Sequence, residues 1–280
     1  MKTIIGIDIG GSTTKIIGFR DVDGEKQWIE PQIIVANDPS TATYGAFGRF
    51  ADENGLALSD ISRVMVTGVG ASHIKGGLYG LDCRRVEEFQ CIGRGGSYLS
   101  RLDNALIVSM GTGTAIVHAM SDKSFEYIGG TGVGGGTLIG LSKLLLGVDN
   151  IVDVEKLASV GDLNKIDLKI KDLVRENALS ELSRELTASN FANLSSSHTK
   201  EDVARGIMNL VFETVGMVSI FGARSRGVES IVLTGSVTNL AECKRKYEEF
   251  NNLGYGVRFI IPERSGFATA IGAALIGSEI

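Results

Sequence analysis

The chain has 280 residues, 43% hydrophobic and 22% charged, with a formal charge of −5 at pH 7. That is a soluble globular composition with length for one large domain or two ordinary ones, and the lack of a basic block excludes a nucleic-acid binder. The glycine-filled stretch Tyr127–Ser142 is shorter than the ~20 apolar residues of a membrane span, and "MKTIIGIDIGG" is too short and too acidic for a signal peptide.

"TIIGIDI" and "TKIIGFR" predict two buried strands joined by a glycine turn. Asp23-Gly24 signals a second hairpin, and "QWIEPQIIVA" supplies its returning strand. "STATYGAFGRFADENG" opens on cap residues and stops at Gly55, which predicts a helix. "ISRVMVTGV" is a short strand, and "CRRVEEF" a strand that enters a helix from Glu88 to Arg101. The pattern then restarts near Asn104: "NALIVSMGTGTAIVHAM" is again strand, glycine turn, strand. "GGTGVGGGTLIGLSKLLLG" predicts a glycine loop feeding a helix, and "VDVEKLASVG" and "KIDLKIKDLV" predict two more. A long amphipathic helix follows, capped by Thr199 and stopped by Gly227, then strand "ESIVLTGSV", helix "NLAECKRKYEEF", strand "VRFIIPE" and closing helix "SGFATAIGAALIGSEI". Alternating strands and helices make the class α/β. Two hairpin-led halves predict similar lobes, residues 1–103 and 104–280, with a cleft between them.

Glycine is the compositional oddity, 37 against 3 prolines, clustered at 10–11, 111–113, 129–136 and near 235. The first cluster lies in "GIDIGGSTTK". A buried Asp8 costs several kcal/mol uncompensated, and a magnesium ion, held directly or through water, would compensate it. Gly10 and Gly11 let backbone amides face a phosphate. Ser12, Thr13 and Thr14 supply hydroxyl donors, and Lys15 supplies charge. The pattern is neither a Walker loop nor a Rossmann loop, because it enters a strand. "SMGTGTAIV" repeats the logic with Gly111, Thr112, Gly113 and Thr114. Gly134, Gly135, Gly136 and Thr137, with Leu138 and Ile139 beyond, form a helix start suited to an anion. Gly235 and Ser236 close another strand end. Together these predict a nucleotide in the cleft, its phosphates gripped from both sides. Cys83, Cys91 and Cys243 lack zinc or redox spacing, which predicts reduced thiols in cytoplasm; His73, His118 and His198 are isolated.

These motifs, with "GDLNKIDLKIKDL", "LTASNFAN" and "GFATAIGAAL", resemble the acetate and sugar kinase/heat-shock/actin superfamily, and within it the type II pantothenate kinases. The resemblance runs through nearly the whole chain. It implies a two-lobed actin-like (ribonuclease H-like) ATPase fold, ATP and Mg2+, a homodimer, and phosphorylation of pantothenate to 4′-phosphopantothenate, the first step of coenzyme A synthesis. It places the general base on Glu88 in "VEEFQCIGRG", with Gln90 where the family commonly has Asp. Phosphoryl transfer to an alcohol needs such a carboxylate; on a strand Glu87 and Glu88 face opposite ways, so one alone can serve. Thr112, Thr114, Tyr127 and Gly130 join Glu88 at the acceptor. Tyr127 stands where the family often has Arg, and a phenol cannot form a charged fork. Competing readings are a kinase of another small alcohol or sugar, or of pantetheine, an actin- or chaperone-like ATPase without a small-molecule acceptor, and an ATP-driven activator of 2-hydroxyacyl-CoA dehydratases, which needs cysteines for an iron–sulfur cluster.

Overall fold

Every strand that the opening residues form is matched by one in the second half. The computed structural model describes residues 3–35, 39–74, 76–174 and 184–279. The first half runs β1 (Thr3–Ile9), β2 (Thr13–Val22), β3 (Glu25–Val35), α1 (Pro39–Glu53), β4 (Ile61–Thr67), β5 (Cys83–Arg85) and α2 (Glu88–Ser100). The second begins β6 (Ala105–Met110), β7 (Thr114–Ala119) and β8 (Phe125–Thr131). An excursion follows: α3 (Gly135–Leu146), α4 (Ile151–Val160), β9 (Leu168–Lys169), α5 (Ile170–Leu173), β10 (Thr187–Ser189) and α6 (Lys200–Arg226). The half closes with β11 (Ser230–Thr234), α7 (Ala241–Asn251), β12 (Arg258–Ile260) and α8 (Ala268–Glu279).

The sheets are ordered β3-β2-β1-β4-β5 and β12-β11-β6-β7-β8, one order read from opposite ends. In each, an antiparallel meander is extended by two parallel strands. This is the two-lobed actin-like ATPase fold. Pro31 sits in β3, an edge strand, where a missing amide donor is tolerated. The expected strand ended at Ala36, which lies outside the described residues.

The layers explain the apolar runs. Ile5, Ile7, Ile9, Val64 and Val66 bury one face of the first sheet against Phe47 and Phe50 of α1. Its other face meets α8, through Ile17 and Phe19 against Ile271 and Leu275. The second sheet packs α6 and α7 on one face and α2 on the other, where Ile92 meets Ile107, Val117 and Val232. The two halves therefore exchange their last helices: α2 rides on the second sheet and α8 on the first. The two helices also cross each other at glycines, since a Cβ on Gly95 would strike the Ala268 carbonyl and one on Gly272 the Cys91 carbonyl. The long helix α6 is framed as its sequence predicts, with Thr199 accepting from Asp202 N and Gly227 left-handed at φ 63°. It is long and apolar enough to cross a membrane, yet much of its surface is core.

Two expectations fail. The segment "KIDLKIKDLV" is not a helix. It pairs Leu168–Lys169 with Thr187–Ser189 and makes one helical turn. Fully buried Asp167 holds it in place by accepting from Phe191 N (2.8 Å) and from Asn209 Nδ2 (2.8 Å). Residues 125–131 form β8 on the edge of the second sheet, so the expected glycine loop is half strand.

Candidate functional site

One cavity of about 1030 Å³ opens between the lobes. The β1–β2 hairpin enters it with Asp8 opposite Lys15 in register, Nζ lying 3.5 Å from the carboxylate and both side chains buried. Burial lifts the Asp8 carboxyl above its ordinary value, and Lys15 offsets this in part. Gly68 closes the site from behind at φ 88°, where a Cβ would stand 2.7 Å from Asp8 Oδ1, so any side chain there would displace the carboxylate. The β6–β7 hairpin comes from the other side. The tips meet: Ser12 Oγ lies 3.2 Å from Thr112 Oγ1. At both tips, Gly11 and Ser12 and then Thr112 and Gly113 carry no backbone hydrogen bond on their amides among the described residues. All four residues line the cavity, and amides left without a backbone partner at two facing tips suit phosphate oxygens.

The remaining expected residues divide. Gly10, Thr13, Thr114, Gly130, Gly135, Gly136, Ile139, Gly235 and Ser236 line the cavity. Thr14, Gly134, Thr137 and Leu138 do not line it. Thr14 is buried on the opposite face of β2 from Thr13 and Lys15, and Leu138 points into the second lobe's core. The glycine-rich start of α3 is also less open than the motif implies. Gly134 N donates to Thr137 Oγ1, Gly135 N to Gly111 O and Gly136 N to Thr112 O. These bonds weld α3 to the second hairpin, so the helix start can act through its dipole and through the space its glycines leave. Sequence reasoning missed Asp149, Asn150, Ile151, Val237 and Leu240 in the wall, and Val35 and Val69 at its first-lobe side. Asn150 reads as a helix cap, which it also is, accepting from Val152 N.

The Glu87–Glu88 doublet separates cleanly. Glu87 caps α2, its carboxylate accepting from Phe89 N (3.1 Å) and Gln90 N (2.8 Å). Glu88 begins the helix and lines the cavity with Asp8 and Lys15. Its carboxyl is raised above the ordinary glutamate value, first by burial, then by the charges of Asp8 and Glu87, with Lys15 opposing. A carboxylate held partly out of water can take a proton near neutrality more readily than an exposed one. Tyr127 also lines the cavity and stacks on Phe89, centroids 4.0 Å apart and planes 14° apart.

A family model described as Fumble matches residues 104–274. A type II pantothenate kinase of Bacillus cereus strain G9842 is 30% identical over 98% of both chains. The chain belongs to the type II pantothenate kinase family. Another member, from Oceanobacillus iheyensis, is 33% identical over 72% of this chain and 80% of its own. Among solved structures, the 2-hydroxyisocaproyl-CoA dehydratase activator of Clostridium difficile with bound ADPNP superposes at TM-score 0.70 and 19% identity, over 99% of this chain and 94% of its own. Component A of the Acidaminococcus fermentans (R)-2-hydroxyglutaryl-CoA dehydratase gives 0.68 and 19%, over 99% and 97%. At such identity the likeness is one of fold.

The family resemblance implies Mg2+ with the nucleotide, and the donor set here fits a particular form of it. Among the described residues no group of three or more His, Cys, Asp or Glu could cage a metal. A single buried carboxylate, Asp8, faces the place where the hairpin tips converge. One carboxylate completed by waters and phosphate oxygens is the way Mg2+ is commonly held.

Proposed function

We propose that this chain transfers the γ-phosphoryl group of ATP to the primary hydroxyl of pantothenate, giving 4′-phosphopantothenate and ADP, the first step of coenzyme A synthesis. The observation that carries the reading is the convergence of the Asp8–Lys15 pair, both hairpin tips and Glu88 on one cavity. The triphosphate lies between the tips, gripped by the amides and hydroxyls of Gly11 to Thr13 and of Thr112 to Thr114, with Lys15 adding charge. Asp8 would hold Mg2+, directly or through water, and the ion supplies neutralisation of the phosphate charges. Glu88 accepts a hydrogen bond from the acceptor hydroxyl, aligns its oxygen with the γ-phosphorus, and takes the proton as the new P–O bond forms and the bond to ADP breaks. Asp149, Asn150, Ile151, Val237 and Leu240 surround the nucleoside end.

The two halves of the sequence, residues 1–103 and 104–280, build the two lobes that close on the nucleotide, except that each half lends its last helix to the other's sheet. The enzyme works in cytoplasm as a homodimer, to which α6 offers the exposed Phe221, most of its other apolar groups being core. The dehydratase-activator reading loses ground because Cys91 and Cys243 are fully buried and far from available to a shared cluster.

The test is ADP release from MgATP with a panel of alcohols and mass analysis of the product. Pantothenate should gain one phosphate on its hydroxyl. Turnover of a sugar without turnover of pantothenate would overturn the assignment.

A further inference from the structure

The closing helix α8 does more than cover the first sheet. Strand β1 crosses it in a fixed order. Ile4 lies at its end, where a Cβ on Gly277 would stand 3.2 Å from Ile4 Cγ2. Gly6 lies nearer its start, where a Cβ would strike the Ala270 carbonyl and the Ala274 amide. Alternate residues of a strand share a face, so Asp8 continues this row toward the first turn of α8. Lys15, opposite Asp8, likewise continues the row of Ile17, which packs with Ala270 and Ile271. The helix start therefore abuts the Asp8–Lys15 pair.

Thr269 is the second residue of α8 and lines the cavity together with Asp8 and Lys15. It is only 7% exposed, and its hydroxyl has no hydrogen-bond partner among the described residues. Burying an unpaired hydroxyl costs stability, so such a group in a cavity wall calls for a partner that enters the cavity. A second hydroxyl beside Asp8, that of Thr67 in register on β4, is fully buried and does not line the cavity. Thr269 is thus the one of the two that a ligand can reach. It also stands at the positive end of the α8 dipole, which favours an anion.

The position selects one phosphate. Transfer to a hydroxyl held at Glu88 requires the terminal phosphate within reach of Glu88. The charges of Asp8 and Lys15 act on the Glu88 carboxyl, and all three residues line one cavity. The terminal phosphate therefore belongs at the Asp8–Lys15 pair, beneath the hairpin tips and against the start of α8. We infer that Thr269 Oγ1 donates a hydrogen bond to an oxygen of the terminal phosphate of ATP, which makes α8 a third phosphate-binding element beside the two hairpins. The inference rests on the proposed kinase reading and deepens it: Thr269 senses the third phosphate and has no partner in the ADP complex.

The experiment is calorimetric titration of the whole chain, in Mg2+, with ADP and with ADPNP, an ATP analogue whose terminal phosphate is not transferred. Thr269→Val keeps the shape of the side chain and removes the hydroxyl. It should weaken ADPNP binding by roughly tenfold, the loss of one hydrogen bond to a charged group, and leave ADP binding within about twofold. Thr269→Ser keeps the hydroxyl and should bind both nucleotides as the unmodified chain does. Thr269→Ala replaces Thr269→Val if that variant does not fold, with the same split expected. Unchanged ADPNP binding, an equal loss for ADP and ADPNP, or a Thr269→Ser variant as weak as Thr269→Val each overturns the inference and leaves the kinase reading standing. Failure of the unmodified chain to bind ADPNP overturns that reading and the inference with it.

Discussion

The two lobes have one topology and divided chemistry. Both hairpins end in a glycine tip, and behind each stands a strand-end glycine of nearly the same conformation: Gly68 at φ 88°, ψ 166° and Gly235 at φ 91°, ψ 168°. Each presses on the equivalent strand end, Gly68 on the Ile9 carbonyl and Gly235 on that of Met110. Where the first hairpin pairs Asp8 with Lys15, however, the second pairs Ser109 with Ala115. At these matched positions the first hairpin carries the charged pair and the second carries none. In the proposed reading the repeat preserves what the backbone must do to approach a phosphate, while the charged groups that act on it are needed once.

The contrast can be broken most severely at the charges. Asp8→Asn and Glu88→Gln should each lower kcat by ~10²-fold or more, the size of a lost metal-holding or proton-accepting carboxylate, while Ser109→Ala at the matching second-lobe position changes it only a few-fold. Steady-state kinetics with Mg2+ titration decides this; a Ser109→Ala loss as large as that of Asp8→Asn would show that the division of labour is wrong.

The glycines come next. Gly68→Ala and Gly235→Ala should each cost about 2–4 kcal/mol, from left-handed strain and overpacking together, read as matched falls in denaturant midpoint. Activity should separate them, because a methyl at Gly68 pushes on Asp8 and one at Gly235 does not. Equal residual activity in the two folded variants would contradict this.

Glu87→Ala should destabilise α2 by about 1 kcal/mol as a lost cap and leave kcat within a few-fold, in contrast with its neighbour Glu88. A dead, stable Glu87→Ala protein would exchange the roles of the doublet.

The smallest effect is on pH. Glu88 must be unprotonated to accept a proton, so kcat/KM falls as pH drops through its pKa, which burial, Asp8 and Glu87 raise above the ordinary 4.5. Glu87→Gln removes one of the repelling charges, and the acidic limb should move to lower pH. A limb that moves upward would assign it to another group.

Much of the repeat is written in local signals. Isoleucine-rich strands interrupted by glycine and hydroxyl residues mark both hairpins, and Thr199 and Gly227 frame α6. What was illegible depends on distance or on competing periods. Glutamate is not a favoured N-cap, so nothing local tells Glu87 from Glu88; the difference is made by where α2 starts. Strand β8 is hidden by Gly129, held at φ 144°, and Gly130. The apolar spacing of residues 165–174 imitates a helix, but Asp167 is tied by partners more than twenty residues away, Asn190, Phe191 and Asn209. Val35, Val69 and Leu240 reach the cavity from segments with no motif of their own.

The exchange of α2 and α8 bears on the order in which the protein can be made. The first sheet is complete in sequence by Arg85, but Ile17 and Phe19 on its inner face are covered by Ile271 and Leu275, from the last helix. A ribosome releasing the chain from its N-terminus leaves that face bare until nearly all of the second lobe has emerged. The first half cannot mature as an independent unit, and removal of residues 268–279 should abolish not a peripheral helix but the lobe that carries Asp8.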